Sequence, residues 1–238
     1  MRQTYAPSPD SGFAIFYILI AIVLFAALAY AFSSTLNSSV NNLTKEEARV
    51  YAQDTLSYAS RLSRGIERVM VRGLCSENDI SFYLASNALL AAYKHTPEVA
   101  DYCKVFHSDG GSITWLTAPK NVNDGSDWVF TGGNRVDGIQ SNAALSGNEL
   151  IALLPYLDKN ICMEINELVG IENTNDAPPV SSGEFRTLKY TGDFPTTTII
   201  ETTGGETSGH ETGCFEATQI DGAAAAGTYH FYHVLVAR

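Results

Sequence analysis

Residues 12–32 read GFAIFYILIAIVLFAALAYAF, and no charged side chain occurs between Asp10 and Lys45. That run constrains the chain more than any other feature. Roughly twenty residues rising about 1.5 Å each reach roughly 30 Å, the hydrocarbon thickness of a bilayer. A helix in the core of a water-soluble protein keeps a polar stripe, and this run has none. It reads as a membrane-spanning helix over 13–32. A cleaved secretory signal is the rival reading, with small-residue cleavage patterns at Ala27-Leu28-Ala29 and Ala29-Tyr30-Ala31. Such signals have a shorter apolar region behind a basic start. Here the run is longer and Arg2 is the only basic side chain ahead of it, so the anchor is preferred.

Charge is unevenly divided. Through Arg72 there are 7 basic and 5 acidic residues, a formal +2, whereas beyond it there are 8 and 21, a formal −13. A distal domain of that sign offers nucleic acid no electrostatic footprint. The four cysteines, Cys75, Cys103, Cys162 and Cys214, all lie in that distal part without CxxC spacing, which gives zinc or thioredoxin-like chemistry no support. An even number beyond an apolar span fits an oxidising, non-cytoplasmic compartment. Four cysteines allow three pairings. Cys75 and Cys103 flank one segment, so local pairing, Cys75–Cys103 and Cys162–Cys214, is expected; four reduced, buried thiols are the alternative.

The helical pattern continues past the span. Leu43, Val50, Leu62, Ile66 and Val69 recur mostly at helical steps, and no proline occurs from Phe13 to Val71. This predicts one long helix over 13–73, apolar to residue 32 and amphipathic over 33–73, stopped at Gly73. Beyond it, Phe82–Tyr93 reads as a short helix, and Ser112–Leu116 and Asp127–Thr131 as strands. Ser146-Gly147-Asn148-Glu149 has capping-box spacing and predicts a helix over Glu149–Leu157 that Pro155 breaks. Asp158 caps a second helix that Gly170 ends. Thr196–Thr202 is strand-like. Thr228–Ala237 alternates as a strand that should be buried on at least one face, Phe231 and Leu235 included. The expected fold is α+β: a leader over 1–12, the long N-terminal membrane or filament helix over 13–73, and a disulfide-bearing globular domain over 74–238 with an antiparallel sheet.

A Gly12-Phe13 junction opening a charge-free helix, an amphipathic continuation and a disulfide-capable α+β domain together resemble type IV pilins and pseudopilins. The pattern covers about sixty N-terminal residues closely; the rest matches only in architecture. The resemblance implies that prepilin peptidase cuts between Gly12 and Phe13. It also implies a structural subunit, or a minor component, of a cell-surface filament or secretion pseudopilus. Such a subunit is anchored in the inner membrane, holds its domain in the periplasm or outside the cell, and partners itself or other pilin-like subunits through the N-terminal helix. It is not an enzyme and needs no cofactor. Members usually carry glutamate at the fifth mature position; Tyr17 stands there, offering only a neutral hydrogen bond to a neighbour's amine. The other reading is a membrane-tethered binding module that does not polymerise.

Catalytic signals are absent from the sequence: there is no GxSxG and no HExxH. His230 and His233, three apart on a strand, fall on opposite faces, which disfavours a shared metal. Asn121, Asn123, Asp124 and Asp127 cluster around Gly125 like a calcium loop, but the glycine is misplaced and a solvated turn is the default. Asn37 and Asn42 fit the N-glycosylation pattern, incidentally in this context. Trp115, Trp128 and Tyr156 could line a ligand groove or simply build core. No catalytic, cofactor-binding or metal residue is nominated.

Overall fold

The computed structural model describes residues 17–25, 43–139, 147–195 and 198–238. They belong to two compact units divided between Thr44 and Lys45. In the first unit, residues 17–25 form helix α1, with exposed side chains. In the second, helix α2 runs Lys45–Arg72. The expected single apolar-to-amphipathic helix over 13–73 is corrected here: among the described residues no helix is long and apolar enough to cross a membrane. Residues 13–16 and 26–42 lie outside those described.

Helix α2 forms for readable reasons. Glu46 and Glu47 sit in its first turn and Arg72 in its last, each complementing the helix dipole. Ala48, Ala52, Thr55, Ala59, Leu62, Ile66 and Val69 bury one face at steps of three and four. It stops before Gly73, as expected.

The rest of the unit is built on a six-stranded sheet: β1 (Val129–Val136), β2 (Glu149–Leu157), β3 (Glu184–Phe185), β4 (Thr198–Ile200), β5 (Thr212–Ile220) and β6 (Ala223–Val236). The strand order is β3-β5-β6-β2-β1-β4. The expected antiparallel sheet is a second correction. The inner pairs β1–β2, β2–β6 and β5–β6 are antiparallel, but β1–β4 and β3–β5 are parallel. Both edge strands arrive after long excursions, and side-chain periodicity carries no record of direction. The edges then meet. Ser181, before β3, bridges Thr202, after β4, with Ser182 N donating to Glu201 O at 2.8 Å and Thr203 N to Val180 O at 2.9 Å. The sheet is nearly closed, which removes the exposed edges that invite aggregation. Val136, Ile151, Leu153, Phe185, Phe215, Tyr232 and Val234 fill its interior.

A third correction concerns residues 149–157, expected as a helix. They form β2, paired on both sides, with every residue but Tyr156 buried. A continuous apolar run suits a doubly covered strand as well as a buried helix. Pro155 breaks the ladder instead of a helix: the β2–β6 register shifts between Leu154 and Leu157, where an absent N–H costs nothing. Ser112–Leu116 forms no strand; its backbone is held by Tyr58, whose hydroxyl accepts from Leu116 N at 3.2 Å. Phe82–Tyr93 is helical only as a 3-10 stretch over Ala88–Tyr93.

Helix α3 (Lys159–Val169) agrees with its expected signals. Asp158 accepts from Asn160 N, and Gly170 closes the helix at φ 84°. Its Asn166 brackets the backbone of Cys214: Nδ2 donates to Cys214 O and Oδ1 accepts from Cys214 N, both at 2.9 Å. Beside that bracket Cys162 is bonded to Cys214, and Cys75 to Cys103, with Cα separations of 5.4 and 5.8 Å. The local pairing is the one that forms. The C-terminal strand is also as expected: β6 lies between β5 and β2, with Phe231 0% and Leu235 9% exposed.

Chain-entropy arithmetic assigns the 52-residue loop about 4 kcal/mol and the 28-residue loop about 3.5 kcal/mol. Replacing Cys162 and Cys214 together by alanine should therefore lower unfolding stability by about 4 kcal/mol in guanidinium titrations, slightly more than the Cys75/Cys103 pair. Equal midpoints with and without reductant for the wild-type chain would contradict this.

Candidate functional site

The three aromatic residues singled out in the sequence converge. Trp115, Trp128 and Tyr156 line one cleft of about 610 Å³, together with Asp127, Lys189 and Asp221. Each is placed by a different part of the chain. Trp128 immediately precedes β1 and is buried between Tyr58 of α2 (ring centroids 5.2 Å apart) and Phe231 of β6 (5.8 Å). Trp115 lies in the irregular segment over Phe130 and Phe106, and its shielded indole N–H has no hydrogen-bond partner among the described residues. Tyr156 sits in the β2 irregularity after Pro155 at φ 57°, a conformation costly for an aromatic residue. That turn leaves Tyr156 39% exposed while its neighbours on the strand are buried.

The polar groups of the cleft are held as well. Asp221 accepts from Thr187 N at 3.0 Å and also from the Thr187 hydroxyl. Asp221-Gly222 is the two-residue turn between β5 and β6, both at positive φ as a type I′ turn requires. Lys189 Nζ stands 5.3 Å from the Tyr93 ring centroid. Behind Tyr156 is His230, which accepts its backbone N–H on Nδ1 at 3.4 Å and meets its ring edge at 5.1 Å. His230 is fully buried, with its other nitrogen 2.8 Å from the Thr228 hydroxyl.

His233 faces the opposite way, as the strand alternation requires. Its Nε2 is 2.8 Å from the Ser63 hydroxyl of α2 and its Nδ1 2.5 Å from that of Thr212. A serine against an imidazole suggests a nucleophile and base, but the outer nitrogen meets a hydroxyl instead of the carboxylate that would hold the ring as a base. The contact ties helix to sheet. The segment around Gly125 is a turn, the default reading of its sequence: Asn123 Oδ1 accepts from Gly125 N at 3.1 Å and Asp124 Oδ1 from Ser126 N at 2.9 Å. Among the described residues no group of three or more His, Cys, Asp or Glu is placed to hold a metal ion. Gly12, Phe13, Asn37 and Asn42 lie outside the described residues; Tyr17 is an exposed position of α1.

Among the described residues that line the cleft, none pairs a nucleophile with a base. The cleft's volume is that of a small-ligand site, with flat apolar walls and a few fixed polar groups. Lys189 and Asp221 carried no sequence signal for such a role; only the Asp-Gly pair was legible, as a turn. Comparison with known proteins finds no family model, no characterised protein and no solved structure that matches this chain.

Three buried groups give the fold a measurable pH response. Burial pushes His230 and His233 from 6.5 down to about 4, and Glu149, whose Oε2 accepts from Val136 N at 2.7 Å, from 4.5 up to about 7. A histidine whose folded pKa is lowered stabilises above its unfolded value, and loses that contribution as pH falls toward the folded one. Glu149 acts oppositely, losing its contribution as pH rises from 4.5 to 7. Between pH 4.5 and 6.5 the two histidines outweigh the one carboxyl, and His95, also lowered by burial, adds in the same direction, so stability should rise by at least about 1.4 kcal/mol per pH unit. Urea melts across that window check the slope. His233→Gln should flatten it whatever it does to the absolute value, and a flat wild-type profile would refute the assignment.

Proposed function

We propose that this chain is a membrane-tethered, pilin-like structural subunit whose extracytoplasmic domain acts through contact surfaces. The observation that carries the reading is a compact unit over Lys45–Arg238 with both cysteine pairs bonded and the amphipathic helix α2 as its first element. A charge-free apolar run precedes that helix in sequence. Bonded cysteine pairs suit a domain held in an oxidising compartment, and the apolar run has the length and composition of an anchor. The Gly12-Phe13 junction makes the prepilin peptidase the processing partner, and the place of action the outer face of the inner membrane or a filament grown from it.

A second reading rests on the cleft at Trp115, Trp128 and Tyr156: a tethered module that binds a small, flat-faced ligand and never polymerises. Mass spectrometry of the mature N-terminus, with fractionation of cells and sheared surface material, separates the readings. A pilin-like subunit should begin at a methylated Phe13 and occur in sheared filaments, and Gly12→Val should block both. An unprocessed chain confined to membranes would leave the binding module standing. An N-terminus near residue 32 would overturn the anchor itself.

A further inference from the structure

The small positive excess of the N-terminal part is concentrated on one surface. Arg61, Arg64, Arg68 and Arg72 are spaced by three, four and four residues, which keeps them within about a quarter turn of α2. All four are exposed, opposite the face that carries Leu62, Ile66 and Val69 into the core. Among the described residues none of the four has an ion-pair partner; Arg61 lies 5.3 Å over the Tyr58 ring. Glu67, the only acidic residue among 61–72, is likewise without a cationic partner there. The stripe runs into a hollow of about 450 Å³ lined by Arg68, Arg72, Tyr102, Ser108, Asp109 and Ser112.

The complementary surface is on the same chain. Between Lys189 and Arg238 there are 6 acidic residues and no lysine or arginine. Glu201, Glu206 and Glu211 all fall in the segment that leads from β4 into β5. Among the described residues none of the three pairs with a cation; Thr202 donates to the Glu206 carboxylate at 2.7 Å and Ser182 to that of Glu201 at 3.4 Å. Two unneutralised surfaces of opposite sign on different elements of one chain are complementary between copies.

We propose that the arginine stripe of one copy docks against the acidic segment 201–211 of a second copy. Different patches meet, so the contact is head-to-tail and can propagate, as a filament subunit needs. Charged surfaces of this kind set register and partner choice more than raw affinity. The inference rests on the subunit reading above and gives it a contact.

The test uses full-length chains with two different C-terminal tags, co-solubilised in neutral detergent and scored by co-purification. Wild type should co-purify at about 0.01 M salt and fall at least about fivefold at about 1 M, where the Debye length shrinks from roughly 30 to 3 Å. R64E/R68E against itself, and E201K/E211K against itself, should lose association; the two variants mixed should recover it, since each stripe then faces a loop of opposite sign. R64Q/R68Q, with unchanged circular dichroism, controls for folding. Reversal without effect, or mixing without recovery, overturns the proposal. Should the stripe variants keep co-purifying but release phosphatidylglycerol vesicles or duplex DNA that wild type retains, the partner is an anionic lipid or nucleic acid and self-docking is refuted. None of these failures would alter the mature N-terminus, so they leave the anchored-subunit reading separately tested.

Discussion

Strand β2 must be covered on both sides, because its apolar residues alternate between two faces and eight of its nine positions are buried. That requirement organises the globular unit. Ile151 and Leu153 point into the closed end of the sheet among Phe215, Tyr232 and Val234. Leu150, Ala152 and Leu154 are equally buried and need a separate layer. The sheet supplies the first cover by curling until Ser181 bridges Thr202. Helix and loops supply the second, with Phe82 stacked on Phe130 at 3.9 Å and Trp128 set between Tyr58 and Phe231. A strand with one polar face would have needed only one of these layers.

Two covers bring polar groups into dry places, and each is fixed by a partner. His233 is clamped between Ser63 and Thr212 where helix meets sheet, and His230 supports Tyr156 from behind. Asn166 satisfies the backbone of Cys214 on the side of β5 away from β6, and Pro179 and Ser181 do the same at Glu216. These bonds matter because an unpaired buried polar group costs more than a made one contributes. They also fix orientation: His230 accepts the Tyr156 N–H, while Asn123 Nδ2 donates to the carbonyl of Pro155 just before it at 3.1 Å.

The functional reading follows from where the chain keeps its charge. Among the described residues Lys104, Glu149 and Glu164 are the Lys, Arg, Asp or Glu side chains that are buried, so most of the formal charge is on the surface, with the arginines of α2 a local exception. A strongly acidic body stays soluble and separate unless an opposite surface is supplied. The stripe on α2 is such a surface, carried on the element nearest in sequence to the apolar run. The aromatic cleft is a different resource, on the side where β2, the β5–β6 turn and the 3-10 stretch meet. It suits a small ligand better than a subunit.

Local signals determined local structure. Asp158 and Gly170 bound α3, Gly73 follows the end of α2, and the alternation of Thr228–Ala237 makes a strand wherever it is placed. Each depends on backbone geometry or on neighbours within a few residues, so sequence is enough. The cysteine pairing was also legible, since each pair closes the nearer loop. The apolar run at 13–32 is a sequence fact that the described residues reach only in part. Tertiary structure alone decided that ELIALLPYL is a strand, because a run buried on all sides is compatible with either state until something lies beside it. It decided the parallel pairings β1–β4 and β3–β5, because direction depends on the path of the intervening chain. It also decided that Trp115, Trp128 and Tyr156 share a cleft, because three residues on separate segments meet only where the closed sheet and its outer layer bring those segments together.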